Sequence, residues 1–126
     1  MGARLHYAKV IDRELFYSRG GRIHPGLANE VVLRSGEVVA GAFLVLRAWT
    51  DDHGSFTEQW KIEGPGNVLI YSSLPREMHL ATPSHVEKLE DEIADLAIED
   101  PDASYQAVFL LDDEEVARTR FFIRAS

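Results

Sequence analysis

No cysteine occurs in the 126 residues, which excludes a disulfide framework, a thiolate metal site and a cysteine nucleophile at once. Lysine is scarce, present only as Lys9, Lys61 and Lys88. Positive charge as a whole is outnumbered, 13 Lys and Arg against 21 Asp and Glu, for a formal net charge of -8. Phosphate backbones and anionic lipids are bound through clustered cations, so this balance predicts no nucleic acid and no membrane among the partners. No apolar run approaches the roughly 20 residues that a bilayer span requires. The N-terminal stretch Met1-Gly2-Ala3-Arg4-Leu5-His6 lacks the apolar core of a secretion signal, which makes a cytoplasmic location the expectation. Internal repeats, low-complexity tracts and linkers are missing too, and the excess of arginine over lysine suggests a GC-rich bacterial genome.

What is present is an ordinary globular composition, 45% hydrophobic and 27% charged, well away from the regime of disorder. With proline and glycine scattered as turns between short apolar runs, residues 1–126 read as a single domain. Arg4 to Tyr17 fits one or two strands with a break near Asp12-Arg13. Ser18 to Ala28 is a loop, punctuated by Gly20-Gly21 and Pro25-Gly26. Val31 to Leu33 and Val38 to Trp49 flank a Ser35-Gly36 turn and read as a hairpin. The longer strand places Val39, Phe43, Val45 and Trp49 on one face and Val38, Leu44 and Leu46 on the other, so it should be central and covered on both sides. Phe56, Trp60 and Ile62 alternate with polar residues as a half-buried strand, and beyond Gly64-Pro65-Gly66-Asn67 the run Val68 to Tyr71 suits a further one. Ser84 and Glu87 have the spacing of a capping box, and Val86, Leu89, Ile93 and Leu96 follow at three- and four-residue steps. Together they predict an amphipathic helix over His85 to Ala97.

The C-terminal hairpin is the clearest element: Tyr105, Ala107, Phe109 and Leu111 alternate, Asp112-Asp113-Glu114 turns, and Val116 to Ile123 returns. Ahead of it, Asp100-Pro101-Asp102-Ala103-Ser104-Tyr105 resembles the corner before the penultimate strand of immunoglobulin-like sandwiches, where a tyrosine hydroxyl bonds back to nearby backbone. The resemblance covers the C-terminal quarter and is one of fold, to bacterial domains of this kind without a known role. It implies a mainly β, antiparallel, immunoglobulin-like β-sandwich with one short helix. The alternative is an α+β fold whose antiparallel sheet curls around that helix.

No motif carries catalysis. The histidines His6, His24, His53, His79 and His85 show no metal-ligand spacing, no Gly-x-Ser-x-Gly occurs, and no two carboxylates are singled out as an acid–base pair. Asp51-Asp52-His53-Gly54 reads as a turn, and Asp112-Asp113-Glu114-Glu115 as a hairpin tip without the ligand spacing of a calcium loop. The expectation is therefore no catalytic residue, no metal and no cofactor. Two surfaces stand out. Arg19, Gly20, Gly21, Arg22 and His24 could hold an anion or ligand, because glycines let backbone amides approach while arginines supply planar donors. Val108, Leu110, Val116 and Phe122, beside Arg118 and Arg120, would form an apolar outward face on the last hairpin in need of a cover. The leading expectation is a non-catalytic protein-interaction or accessory domain, self-associating as a homodimer through that face or binding another protein. The second is a small-molecule binder or enzyme with a pocket near the Gly20-Gly21 loop, and the third a subunit of a larger assembly.

Overall fold

The structure, a computed structural model, describes residues 2–125. The chain runs β1 (Arg4–Asp12), α1 (Arg13–Ser18), β2 (Glu30–Val32), β3 (Phe43–Thr50), β4 (Gly54–Glu63), a 3-10 turn (Pro65–Asn67), β5 (Leu69–Ser72), β6 (Arg76–Leu80), β7 (Glu87–Ile93), β8 (Tyr105–Leu111) and β9 (Glu114–Arg124). Hydrogen bonding joins all nine strands into one sheet of order β5-β4-β8-β9-β2-β1-β3-β7, with β6 also on β4. The sheet is mixed: β2 lies parallel to both β1 and β9, which corrects the wholly antiparallel expectation. Strands far apart in this order face each other, since Arg47 of β3 pairs with Glu58 of β4 and the indole of Trp60 in β4 donates to Asp91 of β7.

β3 shows why the sheet folds over. All eight of its residues are buried. Phe43, Val45 and Trp49 join Trp60, Ile62, Tyr105, Phe109 and Phe121 in the central core. Leu44 and Leu46 project the other way, into a second cluster with Ile11, Phe16 and Leu27. A strand that is apolar on both faces must be covered on both; facing strands cover one side, and α1 with the loop behind it covers the other. The C-terminal hairpin turns through Asp112 and Asp113, both at positive φ (50° and 68°), as a two-residue turn matched to the twist of the flanking strands demands.

The predicted helix over His85 to Ala97 is not formed. Glu87–Ile93 is strand β7, in antiparallel register with β3 from Phe43↔Ile93 to Trp49↔Glu87. Leu89 and Ile93 are four residues apart, a spacing that serves a helix and a strand equally well. Pairing with β3 decides: half-buried Glu87, Leu89, Asp91 and Ile93 alternate with exposed Lys88, Glu90 and Glu92. The helix lies instead at Arg13–Ser18, where strand was expected. It starts there because the Asp12 carboxylate accepts the N–H of Leu15 at 3.0 Å, a side-chain N-cap. This helix packs on the outside of the sheet, so the alternative of a sheet curled around a helix is also corrected. The Ser35-Gly36 turn does form, but Val38 stays exposed and the long strand begins at Phe43.

Candidate functional site

A groove of about 980 Å³ lies on the outer face of the β1-β3-β7 half. β1 contributes His6 and Tyr7, α1 Phe16 and Tyr17, the following loop Gly21, Arg22 and Ile23, β3 Leu46, and β7 Lys88 and Glu90. The wall made by α1 is set by its ending. The N–H of Gly21 bonds to the carbonyl of Phe16 at 3.0 Å and that of Gly20 to Tyr17 at 3.1 Å, with Gly20 at φ 96°. This is the paired closure that a glycine in the left-handed region allows. Beyond it the loop is tied down. Leu27 is buried in the outer cluster, the Lys9 ammonium donates to the Leu27 carbonyl at 2.7 Å, and Asn29 accepts the N–H of Val10 at 2.9 Å.

The groove's charge differs from that of the chain. Its lining carries the cations Arg22 and Lys88 and the single acid Glu90. Tyr17 is 51% exposed, lies edge-on to Phe16, and has the Arg13 guanidinium 5.5 Å from its ring centre. Burial first, and then the charge of Glu90, push the Tyr7 phenol up, so its hydroxyl remains a donor through the neutral range. Exposed rings beside a guanidinium and an ammonium can stack a planar group and meet an anion. A second hollow of about 480 Å³, lined by Val68, Ile70, Leu96, Glu99, Asp100 and Tyr105, has acids and no cation.

Of the loop residues singled out in the sequence, Gly21 and Arg22 line the groove, while Arg19, Gly20 and His24 are exposed outside its lining. On the last hairpin the expected apolar face is not presented. Val108 and Leu110 are only 3% and 8% exposed. Val108 stands in register between Lys61 and Arg118, and Leu110 between Gln59 and Glu115, whose long stems cover apolar surface while their polar ends reach water. Arg118 is held by Glu115 and Glu63, each at 2.7 Å. Val116, Arg120 and Phe122 remain exposed.

Among the described residues no group of three His, Asp or Glu is placed to hold a metal. Asp51-Asp52-His53-Gly54 forms the β3–β4 turn, with Asp51 and Gly54 at positive φ. His85 accepts the N–H of Ala81 at Nδ1 and so donates from Nε2 to Glu87 at 2.9 Å.

Two carboxylates do converge, and sequence reasoning missed them. Arg47 is fully buried, bidentate to Glu58 at 2.7 and 2.8 Å, and 3.1 Å from Asp91. The indole of Trp49 donates to Glu58 at 3.1 Å, that of Trp60 to Asp91 at 2.6 Å, and Arg76 reaches Asp91 at 2.9 Å. The signal was available: Arg47 lies between Val45 and Trp49, and Glu58 between Phe56 and Trp60, both in rows that face the core. Burial would raise the Asp91 carboxyl, but the indole of Trp60 and the guanidiniums of Arg47 and Arg76 outweigh it and hold that carboxyl below the usual range. With every partner engaged, the cluster is an internal clasp between β3, β4, β6 and β7.

No protein-family model matches the sequence, and no curated protein matches it. Among solved structures the chain is similar to the alkylpurine DNA glycosylase AlkC of Pseudomonas fluorescens, determined bound to DNA containing an abasic-site analog, with a TM-score of 0.58 and 11% identity. The likeness covers 98% of this chain and 30% of that one. At this identity it is a likeness of fold. It corrects the expectation of no nucleic-acid partner, because a segment of similar fold occurs within a glycosylase determined bound to DNA. The leading reading drawn from the sequence, a non-catalytic protein-interaction or accessory domain, is corrected with it, since that neighbour is a DNA-bound enzyme. Net charge sums the whole surface, whereas a ligand responds to charges within a Debye length of roughly 8–10 Å.

Proposed function

We propose that the chain is one immunoglobulin-like β-sandwich domain that contacts nucleic acid through the groove between β1, α1 and β7. The observation that carries this reading is local composition. In a chain of net charge -8, the groove gathers Arg22 and Lys88, with His6, Tyr7 and Tyr17, against the single acid Glu90. Cations meet phosphates and rings meet bases, which is the pairing that nucleic-acid grooves use. The fold likeness to a DNA-bound glycosylase supports the same reading. The architectural name is supported by Tyr105, whose buried hydroxyl donates to the carbonyl of Asp100 at 3.0 Å and accepts the N–H of Asp100 at 3.3 Å, as a tyrosine corner does.

Fluorescence anisotropy of labelled oligonucleotides at low salt tests the proposal. Binding is expected, with its loss in the double variant Arg22→Glu/Lys88→Glu. The double variant Lys61→Glu/Arg120→Glu, an equal change of charge on the opposite half, should retain it. Absence of binding in the parent protein, or equal loss in both variants, would refute a groove-centred interaction.

A further inference from the structure

We infer that the nucleic acid taken by this groove is unpaired: a single strand whose bases stack on Tyr7 and Tyr17 while its phosphates meet Arg22 and Lys88. This rests on the nucleic-acid reading above and specifies its ligand.

The cation inventory argues against a duplex. Arg13 is paired with Glu92 at 3.0 Å, and the Lys9 ammonium turns toward the Leu27 carbonyl at 2.7 Å, outside the groove lining. That leaves Arg22 and Lys88 as the cations of the lining. Duplex binders commonly neutralise about six to ten phosphates, and a duplex is a stiff, densely charged rod that would lie across the acidic remainder of the surface. Arg22 and Lys88, even with exposed Arg19 on the same loop, fall well short of that number.

The rings argue for a single strand. In a duplex the base faces are stacked on one another and only their edges and the backbone are accessible, so exposed Tyr17 and half-buried Tyr7 have nothing flat to meet. An unpaired strand offers bare faces, and stacking on aromatic side chains then supplies the affinity with little dependence on sequence. The Tyr17 ring is set for this role. It is half exposed yet backed by Gly21, where an added Cβ would stand 3.2 Å from Cδ1, and edged by Phe16 at 5.3 Å between ring centres. The closure of α1 at Gly20 and Gly21 fixes the start of the loop, and Leu27 and Asn29 fix its far end, which limits the order to be gained on binding.

A fluorescein-labelled oligothymidylate of about 12 nucleotides, near the upper range of site sizes for such grooves, is titrated alone and annealed to its complement. The free strand is expected to bind at least about ten-fold tighter than the duplex. Two phosphate contacts at about -0.7 each set a shallow slope of log affinity against log salt, between about -1 and -2. Tyr17→Leu, on an exposed ring, should weaken binding about five- to a hundred-fold with the slope unchanged, and Tyr7→Leu should act likewise. Arg22→Gln should lower the slope by about 0.7. A duplex bound as tightly as the strand, or two tyrosine variants without effect while the Arg22 and Lys88 dependence persists, overturns this inference and leaves the nucleic-acid reading standing. Failure of both forms to bind removes the two together.

Discussion

Breaking the clasp at its centre should cost a large part of the folding free energy. In Glu58→Gln the buried Arg47 loses the carboxylate that takes two of its bonds, at 2.7 and 2.8 Å, and keeps Asp91 at 3.1 Å and the Val45 carbonyl at 3.2 Å. Removing one partner of a buried ion pair costs about 3–5 kcal/mol, because the remaining charge is stranded. The surviving Asp91 contact places this case near the lower figure. An unfolding entropy of about 2.1 cal/mol/K per residue over 126 residues makes about 3 kcal/mol equivalent to a drop of roughly 11 °C in Tm. Thermal unfolding followed by circular dichroism measures it.

The companion variant Arg47→Met/Glu58→Leu removes both charges, leaves the Trp49 N–H without its acceptor, a loss of about 1–2 kcal/mol, and leaves Asp91 to Arg76 and Trp60. It should therefore melt above Glu58→Gln despite carrying two changes. Arg13→Gln, which opens an exposed pair with Glu92, should change stability by no more than about 1 kcal/mol. A Glu58→Gln protein melting within about 2 °C of the parent, or a double variant no better than the single one, would show that the charges do not depend on each other.

Asp91 gives the clasp a pH dependence. Its carboxyl is held below the ordinary range in the folded state, so the unfolded chain binds the proton first. The stability this supplies is complete above about pH 4 and is lost as pH falls through the lower, folded value. Asp91→Asn should accordingly flatten the acid limb of a Tm-against-pH curve below about pH 4 and leave its slope unaltered near neutrality. Gly21→Ala should destabilise more than Gly36→Ala: both sit at positive φ (64° and 73°), but an added Cβ at Gly21 also presses on Tyr17 at 3.2 Å, whereas at Gly36 it meets nothing within 4 Å. The shared backbone term is about 1 kcal/mol, and chemical denaturation of the two variants reads the difference. Tyr105→Phe leaves the carbonyl and N–H of Asp100 without the hydroxyl that satisfies both and should cost about 1–2 kcal/mol by the same measurement.

How much of the fold the sequence carried depended on whether neighbouring residues sufficed to choose. In β3 and β8, β-branched and aromatic side chains on both faces leave no helical reading, and the Asp112-Asp113 turn is local chemistry. Glu87 to Ile93 was different. Leu89 and Ile93 satisfy both periods, and the choice was made by β3, which lies some 40 residues earlier and needed an edge partner along its whole length. The parallel placement of β2 between β1 and β9 was equally out of reach. It is a three-residue strand, Glu30–Val32, whose neighbours are decided by where the long β9 passes. α1 was legible in principle. Asp12 is a good N-cap and Gly20-Gly21 a good stop, but a helix of six residues is too short for a periodic pattern to show.

The site was half visible for a related reason. Gly21 and Arg22 attracted notice as a loop composition, and that loop does form one wall of the groove; the opposite wall, with Lys88 and Glu90, lay hidden in a segment read as helix. Once that segment becomes a strand beside β3, Lys88 comes out on the same face as Tyr7 and Tyr17, and a groove exists that no single stretch of sequence contains. The clasp follows the same logic from the inside. Arg47 and Glu58 each look like a polar interruption of an apolar row, the kind of residue that ordinarily turns to solvent, and they become intelligible only when the two rows face each other and each buried charge meets its opposite. A net charge of -8 therefore describes this surface poorly. Charge is sorted by the fold, with an Arg–Glu pair withdrawn into the core, acids gathered about the Tyr105 end, and a small positive, aromatic patch left where α1 closes over the sheet.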